Sequence, residues 1–321
     1  MPHTVLHIGA EASAADFLAG YVRSPHVNRV ILAAAGEAGA ALRDRFGIIR
    51  EVADDAQRAL SEPEVALVSL SVPLREQPGV ANAALRAGKD VLCPAPLAET
   101  VTEADEMVHV ADVMGRRLLC ALHEPILPAV VKAKALLDSG EFRGPVFMSI
   151  LALQPQAPAS LLAALVQPFG LLQHLLGPAH AVTATAGQAA TLVSLEFADS
   201  VMGTVTLCHG AAADRPSCER RLVGTQGSLV LRDNPEDEWP LIFVSADDFH
   251  PLKVRNPPDV QAWARREMVV HLVDCMFGGA EPLVSLTAAR QALVTAVGAL
   301  ESAREGCRVE LPTEPPLTSI Q

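Results

Sequence analysis

The residues whose types and spacing could do chemistry begin at Gly9-Ala10-Glu11-Ala12-Ser13-Ala14, directly after the short apolar run that ends in Ile8. A strand-to-helix turn with glycine at its first, third and sixth positions holds the pyrophosphate of a dinucleotide. The first glycine makes the turn, the second lets backbone approach the phosphates, and the third allows close helix packing. Here Gly9 keeps the first position, and Ala14 is a mild change at the last. Glu11 puts a carboxylate where phosphate would come; at about 5 Å and an effective dielectric near 20, each like-charge pair costs on the order of 3 kcal/mol. If Glu11 swings into solvent the loop still admits a nucleotide; otherwise the segment is a plain turn, and the spacing leaves both readings open. The acid that would bind ribose hydroxyls at the end of the second strand is missing. That strand closes Leu32-Ala33-Ala34-Ala35-Gly36, and Glu37 belongs to the start of the next helix. Arg43 and Arg45 lie further along that helix, so neither NAD nor NADP is singled out.

Other reactive types are scattered. His123 and Glu124 follow the sixth strand, at the edge where open α/β sheets bind ligands, and form a pair able to hold a polar ligand. His174 is a lone histidine in an apolar helix, while His209, His250 and His271 show no ligand spacing. No H-x-x-x-H or C-x-x-C pair supports a metal, and neither a G-x-S-x-G elbow nor a P-loop is present. Cys93, Cys120, Cys208, Cys218, Cys275 and Cys307 stand singly, most in apolar runs, as small buried hydrophobes in a reducing compartment do. A cytoplasmic location is the expectation.

The elements that must position these groups alternate at first. Strands are expected at 4–10, 27–36, 65–73, 89–96 and 116–122, with helices at 13–21, 37–46, 54–60, 77–87 and 100–114. The run Val65–Pro73 is almost continuously apolar, as in a parallel strand buried on both faces. Asp54 and Asp55 open one helix, and Thr100 with Glu103 makes a capping box for another. This alternation predicts a doubly wound, Rossmann-like parallel sheet over residues 1–122. From residue 123 to 321 the pattern changes to α+β. A helix is expected at 128–140, a strand at 144–153, a loop and helix at 155–176, and then consecutive strands between 180 and 247. Those strands predict a large, mostly antiparallel open sheet, followed by helices at 260–276 and 286–305. A small-molecule site is expected in the cleft between the two domains.

Composition removes several function classes. A net charge of −12 gives no electrostatic footprint for nucleic acid or an anionic membrane. No apolar run is long enough to span a bilayer, and the start MPHTVLHIGA lacks the positive n-region of a signal peptide. Half of the residues are hydrophobic, enough for a sizeable core.

Several stretches in order resemble the glucose-fructose oxidoreductase / inositol dehydrogenase (Gfo/Idh/MocA) family. They are HIGA, VALVSLSVP, NAALRAGKDVLCPAPLAET, ILPAVVKAKALLDSGEFRGPV, SLEFADSVMGTVTL, RLVGTQGSLVL and LTAARQALVTAVGALESAREGCRVELP. The resemblance implies a Rossmann domain that takes NAD or NADP, and an open sheet that packs against a second copy in a homodimer. Any nucleotide would be held through Gly9, Ala10, Glu11, Ser71, Pro73 and Pro94, with no cofactor as the alternative. Where the family has Glu-Lys-Pro, with the lysine assisting proton transfer, this chain has Pro94-Ala95-Pro96. Where the family has Asp-x-x-x-His-x-x-Asp, this chain has Ala163, Gln167 and Gly170. Gln77 replaces a frequent histidine and Pro125 a frequent arginine. Methyl and pyrrolidine groups move no protons, and losing a positioned acid/base typically costs about 10²–10⁴ in rate. The leading expectation is a degenerate member that binds a small polar ligand or nucleotide, or supports a partner. Gln77, His123 and Gln167 are its candidate ligand contacts, with no metal. The alternatives are an active NAD(P)-dependent oxidoreductase on a sugar-like or polyol substrate with rearranged acid/base groups, and a scaffold that uses the open sheet as an interface.

Overall fold

The apolar run before Gly9 forms β1 (His3–Ile8), the centre of a parallel sheet in a computed structural model of the chain. The structure describes residues 2–34, 36–53, 55–210, 216–234, 237–245 and 248–312. With β2 (Val27–Ala33), β3 (Ile49–Val52), β4 (Val65–Leu70), β5 (Asp90–Pro94) and β6 (Leu118–Ala121) the sheet runs in the order β3-β2-β1-β4-β5-β6, all neighbours parallel. Its central strands are buried on both faces, which explains their unbroken apolar runs. The connecting helices are α1 (Ala14–Arg23), α2 (Gly36–Arg45), α3 (Ala56–Leu60), α4 (Gln77–Arg86) and α5 (Val101–Met114). Thr100 and Glu103 form the capping box read from the sequence. Asp55 caps α3 through its side chain; Asp54 lies outside the described residues.

Two compact units are present. Among the described residues, the first runs to His123 and also contains Ala264–Arg290; the second contains Glu124–Trp263 and Gln291–Pro312. In the first unit, α1 packs on α8 (Val260–Phe277) so closely that a Cβ on Gly20 would lie 2.7 Å from the Val269 side chain.

The second unit is built on a nine-stranded sheet. Its strands are β7 (Pro145–Gln154), β8 (Ala179–Ala186), β9 (Ala190–Phe197), β10 (Met202–His209), β11 (Ser217–Gly224), β12 (Gly227–Arg232), β13 (Leu241–Val244), β14 (Phe249–Pro251) and β15 (Val309–Glu310). Their order is β14-β13-β12-β11-β7-β10-β9-β8-β15, antiparallel throughout except where β10 runs parallel to β7. The helices are α6 (Pro128–Asp138), α7 (Leu161–Leu176) and α9 (Leu286–Glu305), the last beginning in the first unit. The loop and helix expected over 155–176 are both present, the helix running from Leu161, where the Ser160 hydroxyl accepts from the Ala163 N–H at 3.2 Å. No described helix is long and apolar enough to cross a membrane.

One face of the central strands holds Met148, Ile150, Val193, Leu195, Val205 and Leu207 in the core. The other face leaves Leu151, Leu192 and Met202 between 39% and 49% exposed. Leu151 and Leu192 flank Thr206 in one row across β7, β10 and β9.

Candidate functional site

In the first unit the strand order turns back between β1 and β4, and sheets of this kind bind ligands outside the C-terminal ends of such strands. Gly9 makes the turn there with φ +96°, and a Cβ on it would stand 2.1 Å from the Ser71 carbonyl oxygen. Only glycine tolerates both conditions. The loop is stitched to its neighbours: the Gly9 N–H donates to Ala33 O at 2.9 Å, the Glu11 N–H to Ser71 O at 2.9 Å, and the Ser71 N–H to Ile8 O at 2.7 Å. Ala10 is half-buried and Glu11 exposed.

The N–H groups of Ala12 and Ser13 have no backbone acceptor among the described residues, and they lie at the positive end of the α1 dipole. The acid in the first turn, Asp16, is matched by Arg265 at 2.5 Å and Arg266 at 3.1 Å, so its charge does not stand alone against an incoming anion. These features fit a nucleotide phosphate. The ribose end is bare: β2 runs out in Ala33 and Ala34, Ala35 is outside the described residues, and Glu37 is exposed in the first turn of α2. Beneath the loop, the fully buried His7 ring shares a 2.7 Å hydrogen bond with Ser69 Oγ, and burial pushes its pKa down to about 3.

Ser71 and Pro73 follow β4. Pro94 and Ala95 are half-buried at the end of β5, and Pro96 follows a cis peptide bond. Gln77 is 1% exposed. Its Nε2 amide group donates to the carbonyls of Pro94 (3.2 Å), Pro96 (2.8 Å) and Leu97 (2.9 Å). The sequence suggested a ligand contact at Gln77; the structure places its amide nitrogen under this turn as a support. Cys93 and Cys120 are buried neighbours on β5 and β6, as expected of small hydrophobes, whereas Cys307 is exposed. His123, which ends the first segment of this unit, is half-buried.

In the second unit α7 carries Ala163, Gln167, Gly170 and His174 at spacings of four, three and four residues, which puts them on one face. Ala163, Gln167 and His174 are half-buried and Gly170 is buried. Pro168 sits inside this helix and cannot donate to the Ala164 carbonyl. Glu124 opens a 3-10 turn and is buried against Arg220, at 3.1 Å, while Arg220 also pairs with Asp233 at 2.8 Å. Burial pushes the Glu124 carboxyl up against the pull of Arg220. Burial also opposes the Arg220 charge, but Asp233 and Glu124 outweigh it and the guanidinium stays protonated. Gln261 Nε2 donates to Asp233 at 2.5 Å. Among the described residues no group of three or more His, Cys, Asp or Glu side chains could hold a metal ion.

The sequence reading missed Ser13 and Arg220. Ser13 was passed over as an unspecified position in the glycine pattern. Arg220 shares the inward parity of Leu222 on β11, a signal that a strand-alternation count would have caught.

Comparison with known proteins matches residues 4–122 to an oxidoreductase family with an NAD-binding Rossmann fold, and residues 156–311 to the C-terminal alpha/beta domain of the same family. A levoglucosan dehydrogenase of Pseudarthrobacter phenanthrenivorans is 28% identical over 140 residues, 42% of this chain and 35% of that one. A 1,5-anhydro-D-fructose reductase of Ensifer adhaerens is 34% identical over 109 residues, 34% of this chain and 32% of that one. An inositol 2-dehydrogenase of Salmonella typhimurium is 29% identical over 132 residues, 41% of this chain and 39% of that one. The aligned part thus spans between 32% and 39% of these curated relatives. Among solved structures, levoglucosan dehydrogenase with NADH and L-sorbose superposes with TM-score 0.83 at 20% identity, covering 97% of this chain and 99% of that one. Biliverdin reductase with biliverdin and NADP+ from Synechocystis superposes with TM-score 0.77 at 19% identity, covering 95% and 100%. These likenesses establish a shared fold.

Proposed function

The chain belongs to the Gfo/Idh/MocA oxidoreductase family, and from that premise we propose that it binds NAD or NADP but lacks conventional hydride-transfer catalysis on an alcohol. The observation that carries this reading is the turn at Pro94-Ala95-Pro96, where no side chain can hold or move a proton and the supporting Gln77 amide is committed to backbone carbonyls. The α7 positions Ala163, Gln167 and Gly170 add no titratable group. The N–H groups of Ala12 and Ser13 would hold the phosphates, with Gly9, Ala10, Glu11, Ser71, Pro73 and Pro94 around them. A bound nicotinamide would supply a hydride acceptor or donor. Oxidising an alcohol also requires a base for the hydroxyl proton, and Ala95 offers none.

The test is a titration with NAD+, NADH, NADP+ and NADPH, following thermal unfolding. With a Kd of ~10 μM and ligand at 1 mM, the folded state gains about 2.7 kcal/mol. Binding without turnover of polyols or sugars supports the proposal; no binding of any of the four, or ready turnover, overturns it. The second reading, an active enzyme on a sugar-like substrate with acid/base groups elsewhere, is favoured by the dehydrogenase names of the relatives and by Glu124, whose carboxyl is held up by burial. Turnover decides between the two.

A homodimer through the open sheet completes the proposal, its contact face carrying Leu151, Leu192 and Met202. Light scattering at micromolar concentration should give twice the chain mass, and Leu151→Lys with Leu192→Lys should give a monomer. A wild-type monomer refutes this part. A small polar ligand in place of, or beside, the nucleotide and a cytoplasmic setting complete the expectation.

A further inference from the structure

The loop at Gly9 departs from the dinucleotide pattern at Glu11, and the structure adds a second departure beside it. The Glu11 N–H, at the position where backbone should meet phosphate, donates to the Ser71 carbonyl. Yet a serine two residues later is held in an unusual way. Ser13 flanks the start of α1, where serine ordinarily accepts a hydrogen bond from an N–H two or three residues on. Here its backbone is itself helical (φ −72°, ψ −21°) and its side chain makes no capping bond. Instead Ser13 Oγ lies 2.8 Å from Ser71 Oγ.

The direction of that bond follows from burial. Ser71 is 0% exposed, and its hydroxyl has Ser13 Oγ as its side-chain partner. A buried O–H left without an acceptor is costly, so the Ser71 proton goes to Ser13 Oγ. That leaves the Ser13 proton undirected within the pair, on a half-buried residue that reaches solvent. It stands beside the N–H groups of Ala12 and Ser13, which also lack backbone acceptors. A capping serine presents an acceptor; this one presents a donor, and a phosphate needs donors.

We infer that Ser13 is a nucleotide-binding residue: its hydroxyl, oriented by the buried Ser71 hydroxyl, donates to a dinucleotide phosphate at the N terminus of α1 and replaces the donor that the Glu11 backbone gives to Ser71. The inference rests on the reading that this chain binds NAD or NADP. Ser71 acts through Ser13 and is a positioning residue.

The test is equilibrium binding of NADH and of ADP-ribose, by calorimetry, to the full-length wild type, Ser13→Ala, Ser13→Thr and Ser71→Ala. Removing one hydrogen bond to a charged oxygen should weaken both ligands about ten-fold in Ser13→Ala. Ser13→Thr keeps the hydroxyl and should bind like wild type. Ser71→Ala frees the Ser13 hydroxyl to rotate and should fall between wild type and Ser13→Ala. The melting temperature without ligand should be the same in wild type and Ser13→Ala. If it drops, Ser13→Cys, which keeps the size and loses the strong donor, takes its place, with the same ten-fold weakening expected. If wild type binds NADH and the donor-less variant binds within two-fold of it, the inference is overturned while the proposed nucleotide binding stands. If wild type binds neither ligand, both fall together.

Discussion

Acid should unfold this protein partly through one histidine. His7 sits near the C-terminal end of β1 with 0% exposure, its ring 5.8 Å from that of Phe17 and its Nδ1 2.7 Å from Ser69 Oγ. Burial holds its pKa at about 3, against an ordinary 6.5. Because the folded value is the lower one, the unfolded chain binds the proton first, between pH 6.5 and 3. Stability is therefore whole above pH 6.5 and declines as the pH falls toward 3. Each pH unit well inside that window costs about 1.4 kcal/mol, so His7 alone removes about 2 kcal/mol at pH 5 and about 4 kcal/mol at pH 3. His7→Asn keeps a polar atom near the Nδ1 position and does not titrate. Urea unfolding of both proteins at pH 7.5 and pH 5 isolates the effect, because the other titrating groups are common to both and cancel. The wild type should lose about 2 kcal/mol more than the variant between the two conditions. Equal losses would refute the reasoning, as would a proton resonance of the His7 ring that titrates near pH 6.5 in the folded protein.

Arg220→Met should destabilise the second unit by about 3–5 kcal/mol in urea unfolding, because it leaves the buried carboxyls of Glu124 and Asp233 without their cation. Adding Glu124→Gln should recover part of that loss, and a neutral Arg220→Met would contradict the account. Gln77→Ala removes the amide that holds the carbonyls of Pro94, Pro96 and Leu97, and should cost about 2 kcal/mol or more in thermal unfolding. Gly20→Ala drives a methyl group to within 2.7 Å of Val269 and should cost about 1–3 kcal/mol. Val269→Ala in the same chain should relieve most of that, and additive costs in the double-mutant cycle would exclude the contact.

What the sequence made legible was whatever depends on near neighbours. The run Val65–Leu70 had to be a doubly covered strand because no polar face alternates in it. Thr100 and Glu103 had to start a helix because each satisfies the other's backbone N–H. The strand β3 escaped because Ile49–Val52 is four residues long and half polar at a sheet edge, and β15 because two residues carry no period. Within the loop and helix expected over 155–176, the exact start at Leu161 was not legible because its cap, Ser160, lacks an acid three positions later to advertise it. At the candidate site, Gly9 and the unreactive Ala95 could be read directly. The fate of Gln77 could not, since its acceptors are seventeen to twenty residues away in the chain. Ser13 escaped for the same reason: its meaning depends on Ser71, fifty-eight positions on.

The partners of Asp16 have a consequence for how the molecule is made. The carboxylate in the first turn of α1 meets its guanidinium groups 249 and 250 positions later, and Gly20 meets Val269 on the same late helix. During synthesis the six-stranded sheet can emerge in full while the anion-accepting end of α1 still carries an uncompensated negative charge beside Glu11. A chain stopped after residue 123 would therefore have all the strands of the nucleotide fold and the wrong electrostatics for a phosphate. The proposed nucleotide site is therefore complete only once Arg265 and Arg266 have been made and have folded back onto Asp16.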